Sequence, residues 1–158
     1  MMNALILLKK YLQGIFPAKT SSRMLQTIVN PSERISRFIL NSKHISSSGH
    51  PKSAVFIPSK RTKDISVYRT SDVPEVEIWD IASQYVEKLR EDQKKVLARA
   101  DLPAKNYFDA SLQFDPNGYP HKLHANVINW PSEEMEIKRM SVEFANKAIL
   151  VKRQSGYS

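Results

Sequence analysis

The spacing of apolar positions changes several times along the chain, and each change predicts an element. In residues 3–16, NALILLKKYLQGIF, Leu5, Leu8 and Leu12 recur at helical spacing, widened by Ile6 and Leu7. Only the five residues Ala4 to Leu8 run together as apolar before Lys9 and Lys10, far short of the ~20 that span a bilayer. The charges follow that run instead of preceding it, and no small-residue cleavage site stands after it, so a secretory signal is disfavoured. The basic, acid-free stretch to Ser32 shares features with a mitochondrial presequence, but Arg is scarce in it. An amphipathic helix that packs on the core or on a partner is expected, ended by Gly14 and Pro17.

A second helix is expected over 21–29. Pro31 then punctuates, and Ser32 is placed to cap a third helix through Asn41. Ile35, Phe38 and Ile39 would form its apolar stripe, with Arg34, Arg37 and Lys43 on the other side. Residues 46–53, SSSGHPKS, read as a loop.

From Ala54 the pattern turns to strands. Residues 54–57 and 65–70 are short β-rich runs around the basic segment Pro58 to Asp64, which predicts a hairpin with a basic tip. In the second run Ile65, Val67 and Arg69 share one face. Arg69 among apolar residues is either at a strand end or held by a buried anion or carboxylate. Asp72 and Glu75 resemble a capping box, with Pro74 in the first turn, opening a helix to about Arg90. Its buried stripe would be Trp79, Ala82, Val86 and Leu89, flanked by Ile78 and Tyr85, and Glu75, Glu77, Asp80 and Glu87 would form a solvated face.

Three further strands are predicted: Val96–Leu102, Phe108–Phe114 with strict alternation, and Lys122–Trp130 after the turn at Asp115–Gly118. A last helix is expected after Ser132, with early glutamates suiting its dipole and Ile137, Met140, Phe144 and Ala148 on its buried side. The fold class is therefore α+β: a largely antiparallel sheet of about five strands packed on one face by two helices, with a basic N-terminal helical arm. The expected layout is an arm at 1–31, a domain at 32–152 and a flexible tail at 153–158.

Charge sharpens this layout. Of 158 residues, 24 are Lys or Arg and 16 are Asp or Glu, a formal net charge of +8. Residues 1–70 hold twelve basic and two acidic side chains, a net of +10, and the remainder nets −2. Such asymmetry points to a polyanionic partner or an acidic protein surface; a basic surface kept for solubility is the plainer alternative. Composition is that of one globular domain. The absence of cysteine excludes disulfides, thiolate metal sites, iron–sulfur clusters and cysteine nucleophiles. It suits a reducing compartment, and a cytoplasmic location is expected.

No phosphate loop, dinucleotide fingerprint, zincin, serine-hydrolase elbow or zinc-finger spacing occurs, so no cofactor and no metal are expected. The conspicuous polar segment is Pro120 to Trp130, with His121 and His124. Structural histidines making local hydrogen bonds are the leading reading, ahead of an acid–base or anion-binding role and of a metal site, since i and i+3 point to opposite faces of a strand. His44, Arg69 and His124 would suit a phosphate if the fold brought them together.

The segments Ser66–Arg69 (SVYR), Glu77–Trp79 (EIW), Ala98–Asp101 (ARAD) and His124–Pro131 (HANVINWP) together resemble a loose pattern in small uncharacterised bacterial proteins. The resemblance covers residues 35–151. It implies a bacterial or mobile-element origin, draws attention to Arg69, Asp101, His124, Asn126 and Trp130, and brings no activity with it.

Two functions from different classes follow. The first is a non-enzymatic accessory or interaction module for nucleic acid or an acidic protein partner, set in a bacterial defence or mobile-element complex. Lys60, Arg61 and Lys63 on the hairpin tip, with Lys9, Lys10, Arg34 and Arg37 on the arm, would meet the partner. Tyr68 would offer a single stacking surface. The second is a small phosphodiester- or nucleotide-directed enzyme using His124 and Arg69, with Asp101, which requires these side chains to meet in one cleft. Membrane-surface contact through residues 3–16 is a third reading.

Overall fold

The computed structural model describes residues 28–157. The arm helix over 3–16, most of the helix over 21–29, and Lys9 and Lys10 lie outside the described residues. The described chain folds around one six-stranded antiparallel sheet, in the order β4-β5-β2-β1-β3-β6. The strands are β1 (Arg34–Ile39), β2 (Ile65–Arg69), β3 (Ala98–Pro103), β4 (Gln113–Asp115), β5 (His124–Ile128) and β6 (Ile149–Lys152). The helices are α1 (Glu75–Ile81), continued by a wider π-helical turn over Ala82–Glu87, α2 (Ala104–Asp109) and α3 (Glu134–Lys147). No helix among the described residues is long and apolar enough to cross a membrane.

Residues 32–41 contain a strand, not a helix. Ile35, Phe38 and Ile39 have helical spacing, but β1 sits in the middle of the sheet and is covered on both sides. A strand buried on both faces loses the alternation that marks a half-exposed one, so its apolar positions also fit a helical stripe. Ser36, at 0% exposure, is tolerated there because its hydroxyl is hydrogen-bonded to Asp101 and Thr70.

The run Ala54–Ile57 is also corrected. It is a 3₁₀ turn (Ser53–Phe56) that plugs Val55 and Phe56 into the core. Hence β2 does not pair with it as a hairpin; β2 pairs with β1 and β5. The strict alternation of residues 108–114 is a third correction. Its first half lies in α2, which starts just after Pro103, and Ser111 takes a left-handed φ of 64° before the short β4. Tyr107 is what the core takes from this segment, while Phe108 remains 36% exposed.

The helix after Asp72 is shorter than expected and has no capping box. Asp72 has a φ of 57°, and Pro74 occupies the cap position. Its buried residues are Ile78, Trp79, Ile81 and Ala82, while Leu89 is 63% exposed. β2, β3, β5 and α3 match expectation, although α3 is capped at Glu133 with no side-chain cap bond. β6 is an added strand beside β3. Beyond it, residues 153–157 fold back: Arg153 donates to Glu87 and to the carbonyls of Val96 and Tyr157, and Tyr157 packs on Trp79.

The helices cover both faces, not one. On one face Ile35, Ile39, Val67, Ala100, Leu102 and Val127 pack against Tyr107 of α2, Met140 and Phe144 of α3, and Phe56. On the other, Phe38 and Tyr68 pack under Ile78, Trp79, Ile81 and Ala82. These will be called the α3 face and the α1 face.

Candidate functional site

Strand register decides which polar side chains meet. Ser36 lies opposite Tyr68 and Asp101, and Tyr68 lies opposite His124. Side chains alternate along each strand, so Ser36, Tyr68, Asp101 and His124 share the α1 face. So do Arg99, two positions from Asp101, and Ser66 and Asn126, which face each other. Arg69 has the opposite parity and falls on the α3 face with Ile65 and Val67.

The three residues of the enzymatic reading therefore do not form one site. Arg69, 4% exposed, is gripped by Glu33 through two hydrogen bonds of 2.7 Å and donates a third to the carbonyl of Ile28. Of the two readings of this arginine, strand end and buried carboxylate, both are realised. His44 follows the far end of β1, whereas Arg69 pairs with Ile35 near its start. His44, Arg69 and His124 thus do not converge.

Asp101 is held in a separate network. Arg99 donates from Nε to both Asp101 oxygens at 3.1 Å, and from its two terminal nitrogens to Glu75 at 2.8 and 2.7 Å. Its guanidinium lies 5.2 Å from the Trp79 ring centroid. Burial alone would lower the Arg99 pKa, but the two carboxylates outweigh it and raise it. The hydrogen bonds from Arg99 hold the Glu75 carboxyl below its ordinary range. Ser36 completes the network by donating to Asp101 at 2.6 Å. Every member is satisfied internally, as a structural ion cluster requires.

His124, 6% exposed, has two polar neighbours. Its Nε2 is 2.7 Å from the Ser66 hydroxyl and its Nδ1 is 2.8 Å from Asn117 Oδ1. The Tyr68 ring packs edge-on against it at 5.3 Å. Burial lowers the His124 pKa, so the imidazole is neutral at pH 7. Burial also pushes the Tyr68 hydroxyl up to about 12. Ser66 and Asn117 escape sequence reasoning. Ser66 is two residues past the basic segment and 58 before His124, and only the β2–β5 register joins them. His121 instead meets the Tyr85 ring edge-to-face, with centroids 4.7 Å apart, and no group of three potential metal ligands occurs among the described residues.

The basic candidates divide. Lys60, Arg61 and Lys63 are exposed on the loop between the 3₁₀ turn and β2. That loop is closed by its own hydrogen bonds: Ser59 N–H to the Asp64 carbonyl, Lys63 N–H to the Ser59 carbonyl, and the Thr62 hydroxyl to Asp64. Among the described residues the salt-bridge partner of Lys60 is Glu134 at 4.0 Å, and the Lys60 side chain is 94% exposed. Arg37, by comparison, is turned inward and donates to the carbonyls of Val55 and Ser66, and burial lowers its pKa. It is a core fastener, not a surface group. Arg34 is half-buried, with its guanidinium on the hydroxyl and carbonyl of Thr70.

A cleft of about 690 Å³ opens beside Glu33, Arg34, Arg69 and Asp72. Both arginines on its wall already have partners, so its polarity is spent within the fold. Comparison with protein-family profiles, curated proteins and solved structures finds no match to this chain. Its function rests on the geometry above.

Proposed function

We propose that this chain is a polyanion-binding module that meets nucleic acid through the basic loop at 58–64. The observation that carries this reading is the display of Lys60, Arg61 and Lys63, all exposed, on a self-bonded turn, where among the described residues the one salt bridge they make is the loose, solvent-exposed contact of Lys60 with Glu134 at 4.0 Å. A preformed loop loses little freedom on binding. The charge of the whole chain, +8, adds a long-range attraction. Arg34 and Arg37 leave the binding surface because their donors hold the fold together. Lys9 and Lys10 stay in it as candidates outside the described residues. An acidic protein surface is the other partner class, and a bacterial defence or mobile-element complex is the proposed setting.

Binding of the full chain to single- and double-stranded DNA and RNA over a salt series tests this. Binding weakens with salt in proportion to the phosphates neutralised. Replacing Lys60, Arg61 and Lys63 by Gln is expected to reduce the logarithmic salt slope by about one for each phosphate that is no longer neutralised. No retention at low salt, or an unchanged slope in the triple variant, overturns the nucleic-acid reading and leaves an acidic protein as the partner to seek.

A further inference from the structure

We propose that Ser66 is a nucleophile, activated by His124 and oriented through Asn117, that takes an acyl group from an ester presented at the open part of the α1 face. This is independent of the polyanion reading and uses none of its residues.

The hydrogen-bond directions are determined. Asn117 Oδ1 accepts from the Tyr119 backbone N–H at 3.2 Å, so that atom is the carbonyl oxygen and not the amide nitrogen. An oxygen acceptor 2.8 Å from His124 Nδ1 requires the proton on Nδ1. Nε2 then presents its lone pair, and the Ser66 hydroxyl, 2.7 Å away, must be the donor. The order nucleophile, base, orienting group is the arrangement that makes a serine reactive. Burial, which lowers the His124 pKa, keeps the ring neutral and able to accept the proton at pH 7.

Access and position agree with this. α1 and its π-helical turn cover Phe38 and Tyr68, but Ser66, Asn126 and Ile128 are half-exposed and Asp115 is exposed. The hydroxyl therefore sits where the covered half of the face ends. Asn126 stands directly across from Ser66 on that face and is half-exposed, which makes its side chain the neighbouring amide that an oxyanion donor would be drawn from.

The reaction balances without any further co-reactant but water. Ser66 Oγ bonds to the ester carbonyl carbon while its proton passes to His124 Nε2. Collapse of the tetrahedral species breaks the bond to the alkoxy oxygen, which leaves as an alcohol with that proton. Water, deprotonated by the same nitrogen, then releases the acid and restores Ser66.

The test is intact-mass analysis and peptide mapping of the full chain after incubation with p-nitrophenyl acetate. An acid quench within the first turnover is expected to trap one acetyl adduct on the peptide bearing Ser66, with release of p-nitrophenolate, and Ser66→Ala removes both; the absence of both adduct and release overturns the proposal. Asn117→Ala leaves the buried His124 Nδ1–H without this acceptor and so lowers the melting temperature; compared with the parent well below that melt, it is expected to acylate at least tenfold more slowly, with Asn117→Asp retaining the rate. The rate should rise with pH through a midpoint below the ordinary imidazole value of 6.5, because burial lowers the His124 pKa. Adducts on lysines alone, or Ser66 acylation that is indifferent to both Asn117 and pH, overturn the proposal and make the relay a structural hydrogen-bond chain.

Discussion

The two faces of the sheet are held by different physics. The α3 face is mainly hydrocarbon: Phe56, Tyr107 and Phe144 interlock, with ring centroids 4.9–5.9 Å apart, over the small residues Ala98 and Ala100. The α1 face carries one apolar cluster around Trp79 and, beside it, the Glu75–Arg99–Asp101–Ser36–Thr70 network and the Ser66–His124–Asn117 chain. Apolar packing is non-directional and tolerates repacking. A hydrogen-bonded network requires every partner and also places reactive groups. The contrast separates a face held chiefly by apolar packing, with the Arg69–Glu33 pair at its margin, from a face held by directional networks.

The sharpest way to break this contrast is to damage each face once. Phe144→Ala is expected to destabilise by about 3–5 kcal/mol through a cavity. Arg99→Met is expected to cost a similar amount, about 3–5 kcal/mol, by leaving Asp101 buried and unpaired. Denaturant unfolding measures both. The difference appears in the second substitution: adding Asp101→Leu to Arg99→Met should recover most of the loss, since no lone charge remains. If the double variant is no more stable than the single, the network is not an electrostatic unit.

A smaller effect is expected from Ser36→Ala, about 1–3 kcal/mol, because it strips a donor from a buried carboxylate. A loss below that range in the same unfolding assay would mean that Thr70 takes over as donor to Asp101.

Acid should act on the α1 face first. Glu75 has a folded pKa below its ordinary 4.5, so its contribution is present above pH 4.5 and lost as pH falls through the lowered value. His124 is shifted down from 6.5. The unfolded state then binds its proton first, and stability declines as pH falls below 6.5 and is flat above it. Thermal melts across pH 3–8 should show both limbs, with Glu75→Gln flattening the lower one. The smallest expected change is that of the Lys60, Arg61 and Lys63 triple variant, within about 0.5 kcal/mol of the parent, since those side chains fasten nothing.

Legibility follows burial. α3 is readable because one face meets solvent, leaving Met140 and Phe144 at clear helical spacing. β1 is not, because a central strand lacks that contrast, and Ser36 within it gives no sign that Asp101 will receive its hydroxyl. Arg69 stands out by its parity among Ile65 and Val67, and Glu33 answers the question it raises. In the candidate relay, His124 is conspicuous as a histidine in a polar strand, whereas Ser66 and Asn117 look like an ordinary strand serine and an ordinary turn asparagine.

By itself the sequence determined the α+β class, the antiparallel sheet, the last helix and the lopsided charge, all of which depend on composition and local periodicity. Tertiary structure alone decided which arginines are surface and which are fasteners, that helices cover both faces, and that Ser66 meets His124. Those outcomes depend on strand register and on what covers each face. Register is set by contacts between residues far apart in the chain, and no local pattern encodes them.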